Sequence, residues 1–241
     1  MCERNETDMT GFNDSMRLQF LAMHNGYRSL LALGHIGISK ESLGDDYDDD
    51  YYYFYSSYAP MASKMRYLEY DCDAERSAYE SASNCSDSSS PPGNYDENKQ
   101  VIENSGNIKE AAREAFLSWA KEAFNLNKTG KGVLYQSNLN ISNFANLAWD
   151  TREKFGCAVV RCPLGETDAT TIHVVCHYPK IEEKEEQSIY KVGEPCEHCS
   201  EYTKLNNITS ADPVCIRDDG VCFIGSEDDY ISKKFDRFPE L

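Results

Sequence analysis

Ten cysteines, an even number spread from Cys2 to Cys222, restrict this chain more than any other feature. That usage suits an oxidising compartment, in which the thiols close into disulfides and staple parts of the chain that cannot bury enough apolar surface. The 241 residues, 40% of them hydrophobic, suffice for one sizeable core with a small appendage and not for two large domains. Six sequons, at Asn5, Asn13, Asn84, Asn127, Asn140 and Asn207, agree with a secreted glycoprotein. No run of about 18 apolar residues occurs, so no integral membrane protein is expected. Met1 leads at once into Cys2 and polar residues without an apolar leader, and the sequence reads as a mature extracellular form behind an added start codon.

The formal net charge of −17 repels a phosphate backbone, and no Lys/Arg cluster interrupts it, which excludes nucleic acid as a partner. Much of the negative charge sits in residues 44–60, where DDYDDDYYYFYSSY sets five Asp beside seven aromatics. Such composition reads as a solvated loop. Two sharper readings stand beside it: a weak Ca²⁺ site made of clustered carboxylates, and sulfation of Tyr47 or Tyr51.

Periodicity supplies the coarse order of elements. Met16, Phe20, Met23, Tyr27, Leu30 and Leu31 recur at helical spacing after Asn13, and Gly34 stops that helix. A second helical stretch is expected from Ala59-Pro60 through Met61, Met65, Leu68 and Cys72 to Ala82, ended by the Ser/Pro run at 86–92. Asn107 and Glu110 form a capping pair for a third helix, with Ile108, Ala111, Ala112, Ala115, Phe116, Trp119 and Ala123 on its apolar face. GCAVVR at 156–161 and TTIHVVCHY at 170–178 read as two strands of an antiparallel hairpin. The charged IEEKEEQ segment then leads into a tail with Cys196, Cys199, Cys215 and Cys222, poor in large apolar residues and so expected to be held by disulfides. CEHC at 196–199 is open to three readings, a redox pair, half a zinc site or two structural half-cystines, and the compartment favours the last.

Several ordered motifs carry a resemblance. They are His24-Asn25 with Arg28, Tyr70-Asp71-Cys72 with Glu75 and Ala78, Asp96-Glu97-Asn98, Trp119 with Glu122, SNFANLAW at 142–149, VVCHY and YKVGEPCEHC. In this order they resemble the HNxxR, GEN, WxxE, GHYTQxVW, VVCNY and tail signatures of the CAP superfamily of cysteine-rich secretory, antigen 5 and pathogenesis-related proteins, in its nematode venom-allergen-like, activation-associated form. The resemblance implies an α+β fold, a three-layer α/β/α sandwich around a short antiparallel sheet, with a CAP domain over 1–179 and a cysteine-rich extension over 180–241. It also implies the disulfides Cys72–Cys162, Cys157–Cys176, Cys2–Cys85, Cys196–Cys215 and Cys199–Cys222.

Typical members bind a divalent ion through two His and two Glu. Here Glu97 and Glu122 match the acidic pair, Asn143 replaces one histidine, and the other falls near Ser89. An amide is a poor zinc ligand, so the cavity is expected to be degenerate, without metal or cofactor. Changes at Ser142, Ala145 and Asn146 suggest that it is reshaped as well. His173 and His177 are four residues apart, the chelating interval of a helix, but in a strand that interval spans roughly 13 Å. His24, His35 and His198 read as packing, loop and tail residues. No GxSxG nucleophile occurs, and each cysteine has a disulfide partner, so no enzyme is expected. Tyr135, Leu139, Ile141 and Phe144 fall where the family has its sterol-binding loop, and either line a groove or anchor the loop. The chain is therefore expected to bind sterol or fatty acid and to modulate host responses. The alternative is a recognition module whose acidic Tyr-rich loop binds a basic host protein such as a chemokine or receptor.

Overall fold

Helix α1 (Asp14–Ala32) begins and ends on side-chain and backbone signals that the sequence carries. The Asn13 carboxamide oxygen accepts the Met16 amide at 3.2 Å, capping the first turn. At the other end Gly34 takes φ 72°, and the Gly34 and His35 amides bond back to the Leu31 and Leu30 carbonyls, the left-handed C-terminal stop that glycine favours. The computed structural model describes residues 2, 12–42, 53–86, 91–103, 106–128, 133–163, 170–202 and 213–235. They fall into two compact units, the first drawn from 1–26, 67–120 and 152–183, the second from 27–66, 121–151 and 184–241.

The first unit holds the main sheet. Four strands, β3 (Glu69–Tyr70), β4 (Tyr95–Glu103), β5 (Lys154–Pro163) and β6 (Thr170–Pro179), lie in the order β3-β5-β6-β4. The β5–β6 and β6–β4 pairs are antiparallel; short β3 runs parallel to β5. Period-2 alternation assigns the faces. Ala158 and Val175 pack against Ala78 and Ala82 of α2 (Cys72–Ser83). Gly156 lets the first turn of α2 approach, because a Cβ there would meet the Glu75 amide nitrogen at 2.1 Å. On the opposite face, His24 of α1 stacks on Phe155 at 3.8 Å and meets Phe116 of α3 (Ile108–Lys121) edge-on at 5.1 Å. Helices thus cover both faces, giving the expected α/β/α layering.

Charged groups inside this unit are paired. Arg17 forks onto both oxygens of Glu75 at 2.6 and 2.7 Å, and Tyr70 donates to the same carboxylate at 2.8 Å. Arg152, fully buried, donates to Asp96 at 2.6 Å and to the Pro179 carbonyl. Burial pulls its guanidinium pKa down from the ordinary value, only partly offset by Asp96.

The second unit is built differently. Strands β1 (Gly37–Ser42) and β2 (Tyr53–Tyr58) form an antiparallel hairpin with Gly37 opposite Tyr58 and Ser42 opposite Tyr53. A 3₁₀ segment (Glu122–Lys128), another at Ser137–Leu139 and helix α4 (Ser142–Ala148) follow. In the tail, β7 (Pro213–Ile216) and β8 (Val221–Ile224) pair beside Cys199–Glu201, and α5 (Glu227–Phe235) closes the described chain. Arg28 lies wholly inside this unit, donating to the carbonyls of Arg66, Leu147, Trp149 and Asp150 at 2.7–3.1 Å. Tyr202 donates to the Lys64 and Asp150 carbonyls.

Several expectations are corrected. Residues 59–70 are not helical: Ala62 bridges Val192 and Arg66 bridges Cys222 around buried Met65, and the backbone of buried Leu68 is paired with the Asn25 side chain. The acidic loop placed over 44–60 is interrupted by β2. On α1, Leu30 faces solvent, while Arg17 and Arg28 lie inside because each has hydrogen-bond partners there. The tail is not held by disulfides alone, since Tyr202, Val221, Phe223 and Tyr230 are buried with them. Two disulfide pairings are exchanged. Cys2 joins Cys72 at the start of α2, and Cys85, just past its end, joins Cys162 of β5, both with Cα atoms 5.5 Å apart. Cys2–Cys85 and Cys72–Cys162 would need bonds between opposite ends of a 12-residue helix or beyond it. The other pairs are Cys157–Cys176, Cys196–Cys215 and Cys199–Cys222, as the resemblance implies.

Candidate functional site

Glu97 lies on β4 directly opposite His177 of β6, so the register of two strands brings together an acid and an imidazole that are 80 residues apart in sequence. His177 is 0% exposed. Its Nε2 donates to Glu97 Oε2 at 2.9 Å, its Nδ1 meets Ser77 Oγ at 2.9 Å, and the Tyr95 ring stacks on it at 5.3 Å. Ser81 Oγ donates to the same Glu97 oxygen at 2.5 Å. Burial pushes the Glu97 carboxyl up, but the bonds from His177 and Ser81 outweigh it and hold the pKa below the ordinary 4.5. An ionised Glu97 fixes the Nε2–H tautomer, leaving Nδ1 to accept from Ser77.

Ser77, His177 and Glu97 thus line up in the order of a hydrolase triad, yet the surroundings do not complete one. Ser77 sits in the middle of α2, where the neighbouring amides are consumed by the helix ladder and cannot turn to hold an oxyanion.

Glu122 opens the 3₁₀ segment in the second unit. Its Oε1 accepts from Asn143 Nδ2 at 2.6 Å and its Oε2 from the Phe144 amide at 2.9 Å, capping the first turn of α4. Burial raises its pKa above the ordinary 4.5, with the two donors only partly opposing. The Asn143 amide nitrogen, turned to the carboxylate, has no lone pair for a metal. Asn146 is buried, and its side-chain oxygen accepts from Lys184 at 3.3 Å. Ser89 lies outside the described residues, as do Tyr47 and Tyr51.

Among the described residues, neither group of donors fits a transition ion. The position expected to carry imidazole carries an amide bound to Glu122, and His177 is held between Ser77 and Glu97. Among the described residues the one close trio of ligating types is His24 with Cys157 and Cys176, and those sulfurs are joined to each other.

Of the four apolar loop residues, Ile141 and Phe144 are wholly buried, with Phe144 edge-on to Tyr27 at 6.4 Å. Tyr135 and Leu139 keep partial exposure; Tyr135 shares a hydrogen bond with Ser142 and packs near Trp149. Asn13, Asn84 and Asn140 are exposed, Asn140 with φ 52°. Asn5 and Asn207 lie outside the described residues, as does the side chain of Asn127. His24 packs as expected, donating to the Phe20 carbonyl and accepting from Tyr178 OH at 2.8 Å. His173 is buried between the strands' neighbours, His35 is exposed, and His198 is half-buried beside Glu197. What sequence reasoning missed is the pairing of His177 with Glu97, since it weighed His177 only together with His173. Its signal was the H of VVCHY in place of the expected N, which becomes meaningful only once the β4–β6 register is known.

Residues 21–178 match the model described as CAP, cysteine-rich secretory protein family. The chain is 34% identical over 202 residues to hookworm platelet inhibitor 1 of Ancylostoma caninum, covering 84% of this chain and 80% of the relative. It is 30% identical over 200 residues to Ancylostoma secreted protein of the same species, covering 79% of this chain but only 42% of that longer relative. Among solved structures, that of hookworm platelet inhibitor superposes with a TM-score of 0.64 at 31% identity, covering 94% and 97% of the two chains. The structure of NaASP2 with Zn²⁺ superposes with a TM-score of 0.67 at 27% identity, covering 88% and 97%. With the α/β/α layering, the cysteine framework and the ordered motifs in agreement, this chain belongs to the cysteine-rich secretory protein (CAP) family.

Proposed function

We propose that this chain is a secreted, non-enzymatic recognition protein of the nematode venom-allergen-like type, and that its partner is a basic host protein met at the β1–β2 hairpin. The observation that carries it is the hairpin register. With Ser42 opposite Tyr53, the segment holding Asp45, Asp46, Asp48, Asp49 and Asp50 is the connection between two paired strands, in a chain already at −17. A field of that sign steers cationic partners and repels anionic ones. The commitment of Glu97 and Glu122 to protein donors supports binding over turnover. Relatives named as a secreted protein and a platelet inhibitor support secretion and action on the host. The test is biolayer interferometry of the immobilised chain against a small basic protein, cytochrome c, at low and high salt. Affinity is expected to fall about tenfold or more between 50 and 300 mM salt. It should also fall on replacing the five Asp by Asn, and unchanged binding by that variant overturns the proposal.

Lipid binding is the second reading, supported by Tyr135 and Leu139, which keep surface on a loop anchored by Ile141 and Phe144. Saturable uptake of labelled cholesterol or palmitate would carry it; uptake no greater than that of serum-free buffer controls would remove it.

A further inference from the structure

The same hairpin carries aromatic side chains that keep about half of their surface exposed. Tyr55 and Tyr58 of β2 are 45% and 53% exposed, among the most exposed large hydrophobic side chains described. Their ring centroids lie 5.9 Å apart, tilted by 59°. Tyr55 also stacks at 6.3 Å and 23° on half-buried Phe124 of the 3₁₀ segment. Gly37 makes room for this. A Cβ there would meet Tyr55 ring carbons at 2.1–2.6 Å, so one edge of the ring reaches over β1 only because that position has no side chain. Three rings lie together, two of them about half-exposed, and aromatic rings carry negative π faces, here on a chain of net charge −17.

We propose that Tyr55, Tyr58 and Phe124 form a platform for an arginine side chain of the basic partner, the guanidinium lying over the exposed rings while the field of the chain draws it in. The inference rests on the basic-partner reading above and adds its chemistry. A planar guanidinium stacks on an aromatic face as well as being attracted by it, whereas a lysine ammonium keeps its hydration more tightly. Arginine is therefore preferred to lysine at equal charge.

Fluorescein-labelled nona-arginine and nona-lysine peptides, followed by anisotropy, test it. The wild-type chain is expected to bind nona-arginine more tightly. The double variant Tyr55→Leu/Tyr58→Leu keeps net charge and apolar bulk, and should lose about tenfold in affinity for nona-arginine and most of the preference over nona-lysine. Near-UV circular dichroism and intact disulfides check its fold, and Tyr58→Leu alone, at the more exposed ring, provides a milder variant with a smaller loss. If the Tyr variants bind like wild type while the five-Asp→Asn variant does not, the platform is overturned and the basic-partner reading stands. If the Asp variant binds normally while the Tyr variants lose the preference, the platform stands and the acidic segment's role falls. Failure of both peptides to bind overturns both.

Discussion

Replacing His177 by asparagine, the residue that the family's motif carries there, removes one side chain and leaves a buried carboxylate short of its donor. His177 is fully buried and bridges Glu97 and Ser77 at 2.9 Å each. Asparagine is too short to span both. Losing a hydrogen bond to a charged group costs about 1.5–3 kcal/mol, and losing the stacked contact with Tyr95 adds about 0.5–1.5 kcal/mol. The expected destabilisation at pH 7 is therefore about 3 kcal/mol, which in urea moves the midpoint by roughly 1 M for a chain of this size. The pH dependence carries a second signature. The folded-state pKa of Glu97 lies below its ordinary 4.5, so its contribution is complete above 4.5 and drains away as pH falls through the folded value. In His177→Asn that pKa should rise, and the gap between wild type and variant, full at pH 7, should narrow below pH 4.5. Urea unfolding under non-reducing conditions at the two pH values measures both, with His35→Asn as an exposed control expected to stay within about 0.5 kcal/mol. A loss under about 1 kcal/mol at pH 7, or a gap that does not change with pH, refutes the reasoning.

Arg28→Lys should destabilise by about 2–4 kcal/mol, because a single ammonium cannot serve the carbonyls of Arg66, Leu147, Trp149 and Asp150 together; chemical denaturation within error of wild type contradicts it. Mass mapping of non-reduced peptides should recover Cys2 with Cys72 and Cys85 with Cys162, and a Cys2–Cys85 peptide would contradict the fold around α2. By carbon-detected NMR, Glu122 should titrate above 4.5, so that its contribution to stability is full below 4.5 and is lost as pH rises through the folded value; titration at or below 4.5 contradicts the burial argument.

The strongly periodic elements were legible from sequence: α1, α3, β5 and β6 lie where their apolar spacing puts them. The buried face of α1 was only partly so, because hydropathy counts Arg17 and Arg28 as outward and cannot see the Glu75 carboxylate and the carbonyls that accept from them. Strand β4, YDENKQVIE, was missed because its polar residues are satisfied side by side between helix and sheet, which hides the alternation. Strand β2 was missed because a Tyr/Ser run beside five Asp reads as loop by composition. Met61, Met65 and Leu68 imitate a helical stripe, but the segment is not helical, with bridges from Ala62 and Arg66 to the tail. For the candidate site, motif order singled out Glu97, Glu122 and Asn143. The pairing of Glu97 with His177 depends on strand register, which local sequence does not encode.

The central claim is that protein donors have taken the place of a metal at both carboxylates, and Zn²⁺ titration of metal-stripped protein by isothermal calorimetry at pH 7 tests it most directly. The account predicts no saturable heat up to about 0.1 mM Zn²⁺. Stoichiometric binding at micromolar Kd that disappears in Glu97→Gln or Glu122→Gln would contradict it.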